Sequence, residues 1–168
     1  MAFLAASALA GAAAAQTAPA EPASVAQHWA RYDAAEVTLR DVAALVRVRP
    51  ENRTDVAVSI VNGGQLPAPE LRVSRGRLVI DGKLRRQIRS CRVNGADFEV
   101  VTSRQGRLHA TQLPVIELRV PEHAVVSAGG AVRLHLAPAE TASVNLSGCG
   151  DADIVSVAGA ADVSVSGA

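Results

Sequence analysis

The residues that could take part in catalysis or hold a metal are few and widely spaced. The four histidines are His28, His109, His123 and His135, and Glu122 is the only carboxylate directly beside one of them. A metal or catalytic site needs several such groups at one point, and no motif for a nucleophile, metal or phosphate-binding loop occurs. We predict no metal, cofactor or catalytic residue; an approach of His123, His135 and Glu122 across strands is the minor alternative.

The acidic cluster Asp151, Asp153 and Asp162 stands in the C-terminal part of the sequence. Polysaccharide lyases and hydrolases need carboxylates of this kind, alone or with calcium. Asp151 and Asp153 would share one face of a strand, but no aromatic residue follows Phe98 to form a platform for a sugar ring. A β-helix polysaccharide-active enzyme is therefore the weaker alternative. We interpret these acids as solvent-facing residues that discourage pairing between strand edges.

A basic run, KLRRQIRSCR, occupies residues 83–92 without an acidic residue. Guanidinium groups bind phosphate well, so a site for anions such as phosphate or lipopolysaccharide is one interpretation. A solvated loop is the other, and we favour it because no aromatic residue interrupts the run. The same observation and the net charge of +1 argue against nucleic acid. The basic residues are Lys83, Arg85, Arg86, Arg89 and Arg92.

Cys91 and Cys149 are the two cysteines of the chain. In an oxidising compartment they can form one bridge across a long loop, which would stabilise the fold by about 3–4 kcal/mol. Two buried free thiols are the alternative. Because their spacing is not that of a CxxC motif, we expect neither a redox nor a zinc role.

The N-terminal sequence MAFLAASALAGAAAA is typical of a secretory signal peptide. Its uncharged run is too short to span a bilayer, and Ala13–Ala15 supply a small-residue cleavage pattern before Gln16. We predict a signal peptide at residues 1–15 and therefore export, with an Ala-rich helix or tail as the alternative. No later segment reaches transmembrane length.

Residues 16–35 are predicted to form an Ala/Pro-rich linker after the signal peptide. Within it, His28, Trp29 and Tyr32 lie at helical spacing. This spacing predicts a small docked helix rather than a ligand site.

From Val37 onward, apolar residues alternate with polar ones between Gly, Pro and Asn turns, which is typical of strands with one buried face. The sequence LRVSRGRLVIDG adds a hairpin centred on Arg75–Gly76. We find no convincing long helix after residue 35, so residues 36–168 are predicted to be all-β. The predicted strands contain Val37 and Leu39, Leu45–Arg49, Val56–Ile60, Leu71–Val73, Leu78–Ile80, Phe98–Thr102 and Val115–Val120.

Small-residue segments recur in the C-terminal part, at Val126–Gly129, Leu146–Cys149 and Val165–Ala168. Aligned on their serines, they give a repeat of about 20 residues, built of short strands joined at small-residue corners. This repeat predicts a β-solenoid whose Val, Leu and Ile side chains stack from coil to coil. Its last coil would leave an apolar edge. We therefore expect the chain to be truncated before further coils, or to have that edge covered by another chain.

The segments VIELRVPEHAVVSAGGAVRL and SVNLSGCGDADIVSVAGAADVSVSGA resemble the head GIN domain of bacterial auto-transporter adhesins, in which SGSGD-like turns separate short strands. VTLRDVAALVRVRPENRTDVAVSI resembles the opening strands of the same group, so the resemblance spans about residues 36–168. Here the turn is SGCGD, with Cys149 in place of a small residue, which supports a disulfide particular to this lineage. The resemblance implies a β-solenoid outside the cytoplasm, without established molecular activity and without catalytic residues to carry over.

These features predict a non-catalytic exported protein of a bacterial envelope, in the periplasm or at the cell surface. Its expected role is that of an adhesin-like or structural interaction module. A periplasmic module that binds anions or lipopolysaccharide is the first alternative. The expected partner is an envelope or surface component, or another chain at the solenoid edge, without nucleic acid.

Overall fold

A computed structural model describes residues 28–167, so the predicted signal peptide and the first part of the linker lie outside the described residues. Within this range the chain forms strands and one short 3-10 helix, which confirms the all-β class. No helix in the range is long and apolar enough to cross a membrane. The elements are β1 (Ala30–Tyr32), β2 (Glu36–Glu51), β3 (Val56–Val61), β4 (Glu70–Ser74), β5 (Arg77–Asp81), β6 (Ile88–Asn94), β7 (Asp97–Thr102), β8 (Gly106–His109), the 3-10 helix (Ala110–Gln112), β9 (Val115–Pro121), β10 (Val125–Leu136), β11 (Ala142–Ile154) and β12 (Ala161–Ser166).

Strand β2 lies near the centre of a nine-stranded sheet with the order β1-β3-β9-β2-β10-β11-β12. On one side, Glu36–Arg40 of β2 pairs with β5, which in turn pairs with β4, and Leu45–Glu51 pairs with β9. Asp41 separates the two halves, has a φ of 51° and lies in a bulge opposite β10. A bulge bends a strand locally, so β2 can change neighbours at this point. On its other side, β10, β11 and β12 follow in parallel.

The middle of β2 is buried on both faces, which explains its uninterrupted apolar run. Val42 and Ala44 belong to the larger hydrophobic core, and Ala43 belongs to a smaller one. The second sheet, β6-β7-β8, covers the smaller core with the fully buried ring of Phe98. Ala43 and Ala131 are small enough to leave room for this ring at protein packing density. Neither sheet closes on itself.

The segment after Trp29 forms a strand and not the small helix that the sequence predicts. β1 pairs antiparallel with Val56–Val58 of β3, and Tyr32 packs against the larger core. The Trp29 ring lies against the Arg119 guanidinium, with 4.4 Å between Cζ and the ring centroid. A helix this short is marginal by itself, so the hydrogen bonds offered by the edge of β3 decide the local structure.

The register of the parallel strands differs from the predicted serine alignment. Gly129, and not Ser127, pairs with Ser147, whereas Ser147 pairs with Ser166. The first offset is therefore about 18 residues and the second about 19, because the glycines and the buried apolar residues set the register. The small-residue segments are also not corners between strands, since β10 and β11 continue through Gly130 and Gly148.

Candidate functional site

Apolar side chains on neighbouring strands are stacked at the same register and form a column through the larger core. The column contains Leu78, Val37, Val126, Val144 and Val163, on β5, β2, β10, β11 and β12 in that order. The first four are at most 2% exposed, whereas Val163 is 43% exposed. Each strand up to β11 has the next strand on its outer side, and within residues 28–167 no strand lies outside β12.

A second column repeats this arrangement two residues further along each strand. It contains Ile80, Leu39, Ala128, Leu146 and Val165. The exposed fraction rises from 0% at Ile80 to 61% at Val165. All six residues of β12 are exposed. We call β12, with Val163 and Val165, the open edge.

Three glycines are stacked at the same level of the parallel strands. Gly130, Gly148 and Gly167 all have positive φ, at 124°, 95° and 124°. A Cβ atom at each would collide with the backbone of the preceding strand, at Val42, Gly130 and Gly148 respectively. Glycine is required at these positions by both the backbone conformation and the close approach. The residue that follows the open edge thus repeats the glycine conformation of the strands behind it.

The aspartates of the acidic cluster do not meet at one point. Asp153 lies beside His135, with 3.1 Å between its Oδ2 and the histidine Nδ1. Asp151 pairs in register with Arg133, and Asp162 pairs with Ser143 at the opposite end of β11. The three carboxylates therefore do not form one cluster within the residues that the structure describes.

The histidines are also dispersed. His123 Nδ1 is 2.9 Å from the Thr141 hydroxyl, which donates to the Glu122 carbonyl at 3.1 Å. His109 lies 3.5 Å from Asp97 in the second sheet. Among residues 28–167, no three His, Cys, Asp or Glu side chains come together as a metal site.

Cys91 and Cys149 are joined by a disulfide, with 5.8 Å between their Cα atoms. The bond connects β6 of the second sheet to β11. We call the successive parallel strands β2, β10, β11 and β12 the parallel stack. Beside it, the Arg133 guanidinium donates to the carbonyls of Ala96 and Gly95 at 2.8 and 2.9 Å. These contacts hold the turn between β6 and β7 against β10. The second sheet is thus fixed to the stack on both sides of Phe98.

The backbone of the basic run is held in place, although its basic side chains are exposed. The Leu84 N–H donates to the Asp41 carbonyl at 3.0 Å, and the Gln87 N–H donates to the Leu84 carbonyl at 2.9 Å. The Leu84 side chain is buried in the smaller core. From Ile88 the run continues as the strand β6, where the sequence favours a solvated loop.

Acidic residues lie close to the beginning of the basic run, whereas its later basic side chains have no ion-pair partner among the described residues. Lys83 Nζ is 3.0 Å from a Glu70 carboxylate oxygen, and the Lys83 backbone N–H donates to Asp81 at 2.9 Å. The Arg40 side chain also donates to Asp81. This hydrogen bond, followed by that from the Lys83 N–H, lowers the pKa of the Asp81 carboxyl. Among the five basic residues of the run, the other four have no carboxylate in ion-pair range within the described residues: Arg85, Arg86, Arg89 and Arg92.

A groove of about 390 Å³ runs between this part of the chain and the stacked glycines. Arg86 and Arg89 belong to its lining, and Asp41 is the one acidic residue there. The other residues of the lining are Leu84, Ile88, Ser90, Gly130, Gly148 and the bonded pair Cys91 and Cys149. The structure thus places two of the five predicted anion-binding residues in one groove, while Lys83, Arg85 and Arg92 lie outside its lining.

Asp41 is the residue of this groove that sequence reasoning misses. The signal is present, because Arg40 and Asp41 are two consecutive polar residues within the alternation of VTLRDVAALV. An extra residue in an alternating strand is typical of a bulge. The proximity of Asp41 to Arg86, by contrast, depends on the path of residues 82–87 and has no local signal.

The structure is similar to a crystal structure described as that of a "putative cell adhesion protein" from Clostridium sporogenes, at 10% sequence identity and a TM-score of 0.33. The similarity covers 76% of this chain and 60% of that chain. At this TM-score it carries no argument. No family model matches the chain, and no curated protein matches it. The head GIN domain therefore remains a resemblance of sequence motifs.

Proposed function

We propose that the protein is a non-catalytic interaction module, adhesin-like or structural, that is exported to a bacterial envelope or cell surface. In this proposal, the parallel stack of β2, β10, β11 and β12 is part of a GIN-like β-solenoid. The offsets of about 18 and 19 residues between successive strands support this interpretation. The module binds through its open edge.

The observation that carries the proposal is the change in burial along the two apolar columns. Val144 and Leu146, which pair in register with β12, are buried, while the equivalent Val163 and Val165 are exposed and have no strand outside them in the described residues. An apolar strand edge with unpaired backbone groups is a template for another strand. Burying two valines and completing one ladder would provide a favourable free energy of association.

We propose a second copy of this chain as the occupant. The sequence Asp162-Val163-Ser164-Val165-Ser166 is nearly symmetric about Ser164. An antiparallel pair centred there places each copy's Val163 opposite the other's Val165. The two apolar faces then form one continuous face, and each Asp162 lies opposite a serine rather than another carboxylate. Such an isologous contact closes at a dimer.

Sedimentation velocity and light scattering over a range of protein concentrations test this pairing. We expect a dimer that dissociates on dilution, and a monomer for Val163→Lys/Val165→Lys, because two ammonium groups would have to be desolvated in the contact. Val73→Lys is the matched control, since Val73 is 45% exposed on another strand, β4. A wild-type chain that is monomeric at every concentration, or an equal effect of the control, contradicts the proposal.

Export is tested separately by expressing the chain with its native N-terminus in a bacterium. We expect the product outside the cytoplasm, beginning at Gln16. A product that retains residues 1–15 in the cytoplasm would remove the compartment from the proposal, without bearing on the open edge.

A further inference from the structure

The groove beside the disulfide contains a second arrangement of polar groups, which edge pairing does not use. Two arginines from different elements line this groove. Arg86 lies in the connection between β5 and β6, and Arg89 lies at the beginning of β6. We propose that this groove binds the phosphate group of a phosphorylated saccharide.

The backbone directs both arginines from fixed positions. Arg86 has a φ of 59°, a conformation that costs a non-glycine residue on the order of 1 kcal/mol or more. It lies between Leu84 and Gln87, whose backbone hydrogen bond closes the turn around it. Such local strain is a reason to look for a role of the side chain.

Arg89 is placed by an irregularity of the ladder. Ile88 pairs with Thr102 and Ser90 pairs with Val101, so Arg89 is the additional residue of a bulge. A bulge redirects the side chain that it carries. Two residues later, the bond from Cys91 to Cys149 fixes this wall to β11.

The charges around the groove favour an anion with hydroxyl groups. Two guanidinium groups without a carboxylate in ion-pair range match the oxygens of a phosphate. Asp41 is the one acidic residue of the lining, and in this proposal its carboxylate accepts a hydrogen bond from a hydroxyl. Lys83 lies outside the lining and is paired with Glu70. A phosphorylated sugar carries both kinds of group.

The remaining residues of the lining further restrict the class of ligand that would fit the groove. Gly130 and Gly148 have no side chains, so the opposite wall exposes backbone and leaves room for a ring. The lining contains no aromatic side chain on which a base could stack. A nucleotide is therefore a poorer match than a saccharide phosphate.

The ligand group could come from a soluble saccharide or from the headgroup of a glycolipid, and the experiment separates these sources. Binding is measured by calorimetry with glucose 6-phosphate and inorganic phosphate, and by flotation with phosphatidylcholine vesicles that contain lipid A or phosphatidylglycerol. Binding to the soluble sugar phosphate, or to lipid A vesicles alone, supports the proposal and identifies the source. No binding in either arm, or equal binding to phosphatidylglycerol, overturns it.

Two double variants test the position of the site. We expect Arg86→Gln/Arg89→Gln to weaken binding by about tenfold or more, because each lost charged hydrogen bond is costly. Arg85→Gln/Arg92→Gln removes the same charge from neighbouring residues outside the lining and should change affinity by less than about threefold. Equal losses in the two variants would show a diffuse charge effect and overturn the assignment of the groove.

Asp41→Asn tests the hydroxyl contact. We expect it to reduce the preference for glucose 6-phosphate over inorganic phosphate; an unchanged preference would overturn the saccharide part of the proposal. Circular dichroism and thermal midpoints of each variant establish that it is folded. The dimerisation variants Val163→Lys/Val165→Lys should bind the sugar phosphate normally, so failure of the open-edge proposal and failure of this one remain distinguishable.

Discussion

The large sheet has edge strands at β1 and β4 whose chemistry differs from that of β12. β1 is only three residues long, and its neighbour Trp29 lies against Arg119. β4 carries Glu70 and Arg72, and Glu70 is paired with Lys83. Short length and charged side chains are the usual means by which an edge strand avoids pairing with other chains.

The open edge lacks most of these protections. β12 is twice as long as β1 and carries a single charged residue, Asp162, beside Val163 and Val165. Its strand neighbour β11 is equally deficient in basic residues. The difference is one of edge chemistry, since β1 is short and β4 is charged, whereas β12 is longer than either and exposes two valines.

Removal of the disulfide should give the largest change in the free energy of unfolding, because the bond fixes the second sheet to β11 next to the open edge. It closes a loop with a sequence separation of 58 residues, for which chain entropy gives about 4 kcal/mol. We expect Cys91→Ser/Cys149→Ser to lower the free energy of unfolding by roughly 2–4 kcal/mol. Denaturant unfolding measures this value.

Hydrogen exchange then shows which side of the sheet is affected. We expect amides of β11 and β12 to lose more protection than those of β3 and β9 in the cysteine variant. Thiol alkylation with and without reductant, followed by mass measurement, first establishes that the wild-type thiols are bonded. Uniform loss across both sides would contradict a local role of the bond at the open edge.

A matched pair of glycine variants compares the interior of the stack with its edge. Gly130 and Gly167 share a φ of 124°, and a Cβ at either would meet the backbone of the preceding strand. Gly130 is held between β2 and β11, whereas β12 has a paired strand on one side only within the described residues. We expect Gly130→Ala to destabilise by about 2 kcal/mol and Gly167→Ala by less than about 1 kcal/mol.

Thermal and denaturant unfolding of the two variants give these values under identical conditions. Gly106→Ala is a useful control, since Gly106 has a φ of 74° but no atom near its would-be Cβ. It separates the conformational cost from the collision. Similar losses of stability in Gly130→Ala and Gly167→Ala would mean that the open edge is as constrained as the interior of the sheet, which would contradict the expected difference.

The strands and the all-β class could be predicted from the sequence because alternation is a local signal. The predicted segments at Val56–Ile60, Phe98–Thr102 and Val115–Val120 all lie in observed strands, and the hairpin turns at Arg75–Gly76. β6 escaped prediction because its solvent face carries Arg89 and Arg92, so its composition is that of a loop.

The remaining features depend on contacts distant in sequence. The register of the parallel strands follows Gly130 and Gly148, whereas the serines that guided the alignment are too common in this segment to fix it. The groove needs Asp41 and Arg86 together, which requires the bulge in β2 and a turn with positive φ. Neither the burial of Leu146 nor the exposure of Val165 can be read from two similar stretches of alternating residues.

The smallest expected change in stability concerns the charged residues beside the edge strand β4 and its neighbour β5. The hydrogen bond from Arg40, followed by that from the Lys83 N–H, lowers the pKa of Asp81. A carboxyl whose pKa is lower in the folded state stabilises the fold above its unfolded pKa of about 4, and this contribution disappears as pH falls through the lowered pKa. Asp55 behaves in the same way, because the Arg53 side chain donates to it.

We therefore expect stability to fall from about pH 4 downward, and Asp81→Asn to remove part of this dependence. Because the Arg40 side chain is half exposed, the effect at neutral pH should be within about 1 kcal/mol. Urea unfolding at neutral and acidic pH provides the measurement. An acid dependence that is unchanged in Asp81→Asn would show that Asp81 has no special part in holding β4 and β5 to β2.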